Sequence, residues 1–228
     1  MKLTLLRHGE TEGSRNGLYY GAANIPVLPE SLEELKKRAA AGVYPTGKRY
    51  YTSGMLRAEQ TLRAIYGDVP FTVLPGLREM DFGDFEMRPY DGDLEHDPSF
   101  RAWAQDAEHN VCPHGESAPQ VLARSLEAIA PVLASGEDAV CVIHGGVTSG
   151  LMMRWFGGTR YDYDPLPGTG YQVTVTGGKP VSYEKIPKEY KLWNIPIRRD
   201  RPAPARSHSG WMATGCAMCI SGAAVTAI

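Results

Sequence analysis

Short runs of strand-forming residues alternate with longer stretches whose apolar positions recur at helical spacing. Residues 2–6, KLTLL, end near a glycine turn and suit a buried strand of a parallel sheet. Residues 139–143, AVCVI, read the same way. Residues 49–52 and 71–74 form shorter strands, while 171–176 and 181–186 flank Gly177-Gly178 as an edge hairpin. Between these runs, 31–39 predicts a helix with Leu32, Leu35 and Ala39 as its apolar stripe. Ser31 and Glu34 supply a capping box there, and Glu33–Lys37 and Glu34–Arg38 pair on the wet face. A helix over about 55–66 buries Ala58, Leu62 and Ile65, and another is expected near 98–109. Ser117, Pro119 and Gln120 open a long helix with Leu122, Leu126, Ile129 and Leu133 on its apolar face; it contains Pro131 and stops before Gly136. A last helix follows Gly146 to about Phe156. This alternation predicts an α/β fold with a largely parallel sheet.

The length of 228 residues suits one large α/β domain. A formal net charge of -2 gives no reason to expect nucleic acid or an acidic membrane surface as partner. Met1-Lys2 runs straight into the first strand without a leader pattern, so a cytoplasmic protein is expected. Cys141 lies in an apolar run as a small hydrophobe, and Cys112 lies in a proline-rich loop. Cys216 and Cys219 form a CxxC without the second pair or histidine spacing of a metal site. Neither GxGxxG nor a Walker-type loop occurs, which argues against a nucleotide-binding domain. Residues 84–115 are irregular, charged and aromatic, as a lid or substrate cap would be. The domain is expected to close near residue 194, leaving 195–228 as a tail. The start of the tail has the Arg, Pro and Ser content of a linker; residues 207–228 are too polar and glycine-rich for a membrane span. Such a segment is expected to pack on the domain or on a second subunit of a homodimer.

Two predicted strands deliver a histidine at their carboxyl ends, Arg7-His8-Gly9 after the first and His144-Gly145-Gly146 after the run at 139–143. Ligands of open α/β sheets bind in the crevice there. With Ser53 as cap, Arg57 falls in the first turn of its helix, near the positive end of the dipole. Two permanent cations and two imidazoles suit a phosphoryl group, because guanidinium forks bind phosphate oxygens and stabilise charge spread over them. An imidazole nucleophile must be neutral, and adjacent arginines disfavour imidazolium by like-charge repulsion. Gly9 removes a Cβ that would obstruct a ligand, and residues 19–31 are expected to fold over the site.

The stretch LLRHGET at residues 5–11 resembles the signature of the histidine phosphatase superfamily, the phosphoglycerate-mutase-like fold. SGMLRAEQT at 53–61, LREMDFGDFE at 77–86, PHGES at 113–117 and VIHGG at 142–146 resemble its further motifs in the expected order. The resemblance spans roughly residues 1–190 and implies a three-layer sandwich, a mostly parallel central sheet flanked by helices. It implies branch 1 of that superfamily and a phosphomonoesterase that needs neither cofactor nor metal and acts on a small-molecule phosphomonoester. His8 would be the nucleophile, forming phosphohistidine; His144 would donate to a phosphate oxygen, and Arg7 and Arg57 would clamp the phosphate. Glu79 matches the family's LxE position and would protonate the leaving alkoxide, then activate water; on chain reading alone Asp81, Asp84 and Glu86 stay open. The other branch places its acid directly after the second histidine, where this chain has Gly145, so the acid comes from elsewhere.

One departure concerns the asparagine that family members commonly carry six residues after the nucleophile. Here that position is Ser14, with Asn16 two residues later, and either is a candidate for substrate contact; Glu10 and Thr11 either brace the loop or touch substrate. Met80-Asp81-Phe82-Gly83 after the acid is nearer the phosphatase pattern than the His-Tyr-Gly of 2,3-bisphosphoglycerate-dependent phosphoglycerate mutases, which stand as the alternative. A catalytically silent phosphate-binding module should have lost a core residue, and none is lost. The motif set looks most like the α-ribazole-phosphatase-like group. The acidic segment 90–97, with Phe82, Phe85, Tyr90, Phe100 and Trp103 around it, is expected to overhang the site and favour a flat or uncharged leaving group.

Overall fold

The computed structural model describes residues 1–89 and 93–187. The elements are, in chain order, β1 (Lys2–Arg7), α1 (Glu12–Arg15), β2 (Leu18–Tyr19), α2 (Pro29–Ala40), β3 (Arg49–Thr52), α3 (Leu56–Tyr66), β4 (Thr72–Val73), β5 (Arg88–Pro89), α4 (Asp93–His96), α5 (Pro98–Ala104), α6 (Ala118–Ser135), β6 (Ala139–Ile143), α7 (Gly145–Phe156), β7 (Gly170–Thr176) and β8 (Lys179–Ile186). Six strands form one sheet in the order β4-β3-β6-β1-β7-β8. β4, β3, β6 and β1 run parallel, and the β7–β8 hairpin closes one edge in antiparallel sense. This is the expected mixed α/β sandwich. The tail 195–228, the domain end near 194, Cys216, Cys219 and Tyr90 lie outside the described residues.

Alternation along the two central strands builds a core on each sheet face. Leu3, Leu5, Cys141 and Ile143 pack with Val121, Ile129, Val147 and Leu151, so α6 and α7 cover one face. Leu6, Val140 and Val142 pack with Leu35, Ala58, Leu62 and Ile65, so α2 and α3 cover the other. Arg7 stands opposite Ile143 in the β1–β6 register. Both strands therefore end at one level, which brings the residues after them together.

Several helices differ from the sequence expectation for identifiable reasons. α2 starts at Pro29, with Leu28 rather than Ser31 at its cap, because the Ser31 hydroxyl accepts the Glu10 N–H at 2.9 Å. Glu33 pairs with Lys36 instead of Lys37, while Glu34–Arg38 forms as expected. α5 ends at Ala104, short of 109. On α6 the expected Ser117–Gln120 capping box and left-handed Gly136 are present, but the deepest line is Val121, Ser125, Ile129 and Val132. Its leucines 122, 126 and 133 flank that line as half-buried packing. Small side chains explain the shift: a Cβ on Gly76 would lie 2.7 Å from Ala128 Cβ, so the turn Pro75–Leu77 sits hard against this face. Serine and alanine there are invisible to a search for apolar residues.

The cap segment also differs. Phe85, Phe100 and Trp103 are buried, with ring centroids 5.3 to 5.6 Å apart, and Tyr19 joins them from β2. β2 pairs with β5 to tie this layer down. These rings are continuous with the core on the α6/α7 face of the sheet. Removing Phe85, which is fully buried, should destabilise the protein by about 3–5 kcal/mol. Denaturant titration of Phe85→Ala checks this; a loss under about 1 kcal/mol would show that the aromatic layer does not contribute to the core.

Candidate active site

β1 carries Arg7 and then His8, and the His8 N–H donates to Ile143 O at 2.9 Å, locking the loop to the end of β6. His8 is 2% exposed and its ring lies 5.2 Å from that of His144, which is fully buried at the N-cap of α7. The His8 Nδ1 donates to Gly9 O at 2.7 Å, which leaves the lone pair on Nε2. Ser53 Oγ lies 2.8 Å from His144 Nε2 and accepts the Met55 N–H at 3.3 Å. The tautomer in which this hydroxyl donates to Nε2 carries the His144 proton on Nδ1, where it is available to an oxyanion. Burial, then the charges of Arg57 and Arg7, push the His8 pKa well below the usual imidazole value, against the opposing Gly9 hydrogen bond. His144 is lowered likewise, first by burial and then by Arg57.

Arg57 is the second residue of α3, in its first turn as expected, although the cap is Met55 and Ser53 serves His144. The guanidinium is fully buried, donates to Ala23 O at 2.7 Å and Gly21 O at 2.8 Å, and stacks 5.1 Å from the Tyr20 ring. The 19–31 segment therefore does fold over the site. It is fixed there by Glu86, whose carboxylate accepts the N–H groups of Gly21, Ala22, Ala23 and Phe82. Arg7 donates to Pro165 O at 2.8 Å and packs on Gly145, where an added Cβ would lie 3.2 Å from Cζ. Buried polar atoms without a protein partner include Arg7 Nε, Arg57 Nε and His144 Nδ1. Three such donors around one cluster need an acceptor, and an oxyanion supplies it.

Four acids follow in sequence and differ in use. Glu79 Oε2 accepts the Gly146 N–H at 2.9 Å, beside His144. A Cβ on Gly146 would come within 2.6 Å of Glu79 Oε1, so only glycine leaves that carboxylate its place. Asp81 caps its own turn through the Gly83 N–H, Asp84 pairs with the exposed His114, and Glu86 holds the 21–23 loop. The structure therefore brings together His8, His144, Arg7, Arg57 and Glu79.

Ser14 and Asn16 stand at the end of the loop after His8, on and just beyond the short helix α1. Ser14 sits in a capping box with Thr11 at the start of α1, where its hydroxyl donates to Thr11 O at 3.0 Å. Asn16 is the exposed C-cap of the same turn. Glu10 and Thr11 brace the loop, Glu10 by pairing with Arg15 and Thr11 as the cap. Gly9 is required by protein packing and not by a ligand: a Cβ would lie 2.8 Å from Val27 Cγ1 and 2.9 Å from Leu35 Cδ1. Sequence reasoning missed Thr61, which accepts the Gly9 N–H and donates to Arg57 O, both at 2.8 Å. The threonine of the SGMLRAEQT motif was the available signal.

Paired low-pKa imidazoles flanked by two guanidinium groups, on the carboxyl edge of an α/β sheet, define an enzyme site built for phosphoryl groups. The chain belongs to the histidine phosphatase superfamily (branch 1), whose family model matches residues 3–194, and it is a hydrolase of the phosphatase class. It is 36% identical over 161 residues to adenosylcobalamin/alpha-ribazole phosphatase of Salmonella typhimurium, covering 68% of this chain and 79% of that one. A 2,3-bisphosphoglycerate-dependent phosphoglycerate mutase of Xanthobacter autotrophicus is 29% identical over 170 residues, covering 66% and 79%. The solved alpha-ribazole phosphatase of Shigella flexneri superposes with a TM-score of 0.72 at 27% identity, covering 79% of this chain and 94% of that one. Among the described residues, no helix is long and apolar enough to cross a membrane.

The depressed imidazoles carry a stability signature. Below about pH 6.5 the unfolded chain takes up a proton on each histidine while the folded site does not, so the unfolded state binds more protons. Stability therefore falls as pH drops through that value, by up to about 1.4 kcal/mol per pH unit for each histidine, and is unaffected by these groups above it. Replacing His144 by Asn should flatten the dependence between pH 6.5 and pH 5 relative to the parent, as followed by urea midpoints. Identical slopes in the two proteins would show that His144 is not held neutral.

Proposed function

We propose that this protein is a cofactor-independent phosphomonoesterase that passes the phosphoryl group through His8. The observation that carries the reading is the His8 ring itself, buried, low in pKa and anchored by Nδ1 so that Nε2 is the nucleophile. In the first half-reaction Nε2 attacks phosphorus and the bond to the ester oxygen breaks. The electron pair leaves on that oxygen, which takes a proton from Glu79. Arg7, Arg57 and the Nδ1–H of His144 stabilise the charge on the three equatorial oxygens. In the second, the Glu79 carboxylate takes a proton from water as its oxygen attacks phosphorus. The P–N bond breaks, the pair returns to Nε2, and inorganic phosphate departs with Glu79 protonated again.

The leaving group is placed in the cleft of about 360 Å³ beside Glu79, whose walls include Met55, Pro75, Arg78, Asp81 and His114. Arg124 and Glu116 cancel each other there by an ion pair at 2.8 Å, and Arg78 shares the wall with the acidic Glu79 and Asp81. Such a wall has no surplus of cations to attract a second phosphate. An uncharged alcohol such as that of α-ribazole phosphate fits it better, in line with the phosphatase relatives.

A panel of phosphoesters at one ionic strength tests the reading. α-Ribazole phosphate should exceed 3-phosphoglycerate and fructose 2,6-bisphosphate in kcat/KM by at least about tenfold, the scale of one lost favourable contact. His8→Ala should reduce turnover of all of them to background. A preference for the bisphosphate, or a mutase rate above the hydrolysis rate with 3-phosphoglycerate plus bisphosphoglycerate, would replace this reading by the mutase. No turnover of any ester by the parent protein would leave a binding module. Glu79→Gln should slow alkyl esters by about 10²–10⁴-fold and p-nitrophenyl phosphate far less, because its phenolate needs little protonation.

A further inference from the structure

Glu79 lies on a turn whose backbone is held by a single guanidinium from α6. Arg124 Nε and Nη2 form a two-point ion pair with Glu116, both at 2.8 Å. Nη1 donates to Gly76 O at 2.8 Å and Arg78 O at 2.6 Å, and Nη2 donates to Glu79 O at 3.0 Å. All five N–H groups are thereby used. Glu116 Oε2 also accepts the Asp81 N–H at 3.0 Å. The peptide groups on both sides of Glu79 are thus tied to one ion pair, while its carboxylate is tied to the Gly146 N–H. The close approach of the turn to α6 that permits this depends on Gly76, whose Cβ would lie 2.9 Å from Arg124 O.

We propose that Arg124 and Glu116 act as a positioning pair that fixes where the Glu79 carboxyl stands relative to the leaving oxygen, an inference that rests on Glu79 as the acid. Three carbonyls and a carboxylate converge on Arg124, and only a planar fork with five donors meets them together. Lysine keeps the charge but offers three donors from one point. A shift of about 1 Å in a catalytic group can lower a rate by about 10²-fold, and protonation of the departing oxygen is the step that feels it.

Arg124→Lys and Glu116→Gln, each confirmed folded by circular dichroism and thermal melting, separate this role from general stabilisation. Both should slow alkyl phosphate esters by roughly 10-fold or more in kcat, with KM little changed in Arg124→Lys, which keeps the charge of the cleft wall, and alter the kcat for p-nitrophenyl phosphate by less than about 3-fold. In a Glu79→Gln background the same substitutions should add almost nothing, because the group they position is already gone. Equal losses on both ester classes, or losses that multiply with Glu79→Gln, would overturn the positioning role. So would a folded variant with parental rates on both. If Glu79→Gln itself showed no dependence on the leaving group, the acid assignment would fall and the pair's role with it. A normal Glu79→Gln response beside a flat response in Arg124→Lys and Glu116→Gln refutes the pair alone.

Discussion

Removal of water from a cationic cluster is the constraint on which the site depends. Two imidazoles and the Arg57 guanidinium are buried at the carboxyl edge of the sheet, with Arg7 partly exposed beside them. In water either histidine would be half protonated near pH 6.5, but here burial and two fixed positive charges exclude the extra proton. The same arrangement that keeps the imidazoles neutral creates a strong demand for an anion. Nucleophile activation and phosphate affinity therefore have one physical origin.

Holding such a cluster requires compensation from the backbone. Arg57 faces the carbonyls of Gly21 and Ala23, and Arg7 faces that of Pro165, so each cation is solvated by fixed dipoles. Those carbonyls lie on loops that would otherwise be free to turn away. Glu86 fixes the first through four N–H donors, and Ser149 contributes on the other side, its single O–H shared between Gly145 O and Tyr163 O, each 2.9 Å away. A preorganised set of donors and dipoles needs no rearrangement when charge develops on the phosphoryl oxygens. Glu79 adjoins this cationic cluster from the cleft side, with its carboxylate at the start of α7 and its charge felt by Arg57.

Much of this was legible in the sequence, and the boundary is physical. β1 and β6 could be read because their apolar runs demand burial on both faces, and strand ends predict where ligands bind. His8, His144, Arg7, Arg57 and Glu79 were named from their motifs, and they meet. Partners separated far along the chain were not legible: Ser53 reaches His144 across 91 residues, and Glu86 reaches Gly21 across 65. Ser53 also illustrates how local reasoning misleads, since a serine before a helix reads as a cap when its hydroxyl is in fact aimed at an imidazole. Gly9 was singled out correctly but for the wrong neighbour, and the aromatic residues of the cap had to be placed before they could be recognised as core.

The central claim is that a neutral His8 attacks through Nε2. Rapid quenching of the parent protein during turnover of a slow ester, under non-acidic conditions, followed by peptide mapping and phosphorus NMR, tests it most directly. Because Nδ1 is bonded to Gly9 O, the account predicts a phosphoryl group on His8 Nε2, formed and lost at rates compatible with turnover. A phosphoryl group on Nδ1, its appearance on another residue, or steady turnover with no phosphorylated His8 would contradict it.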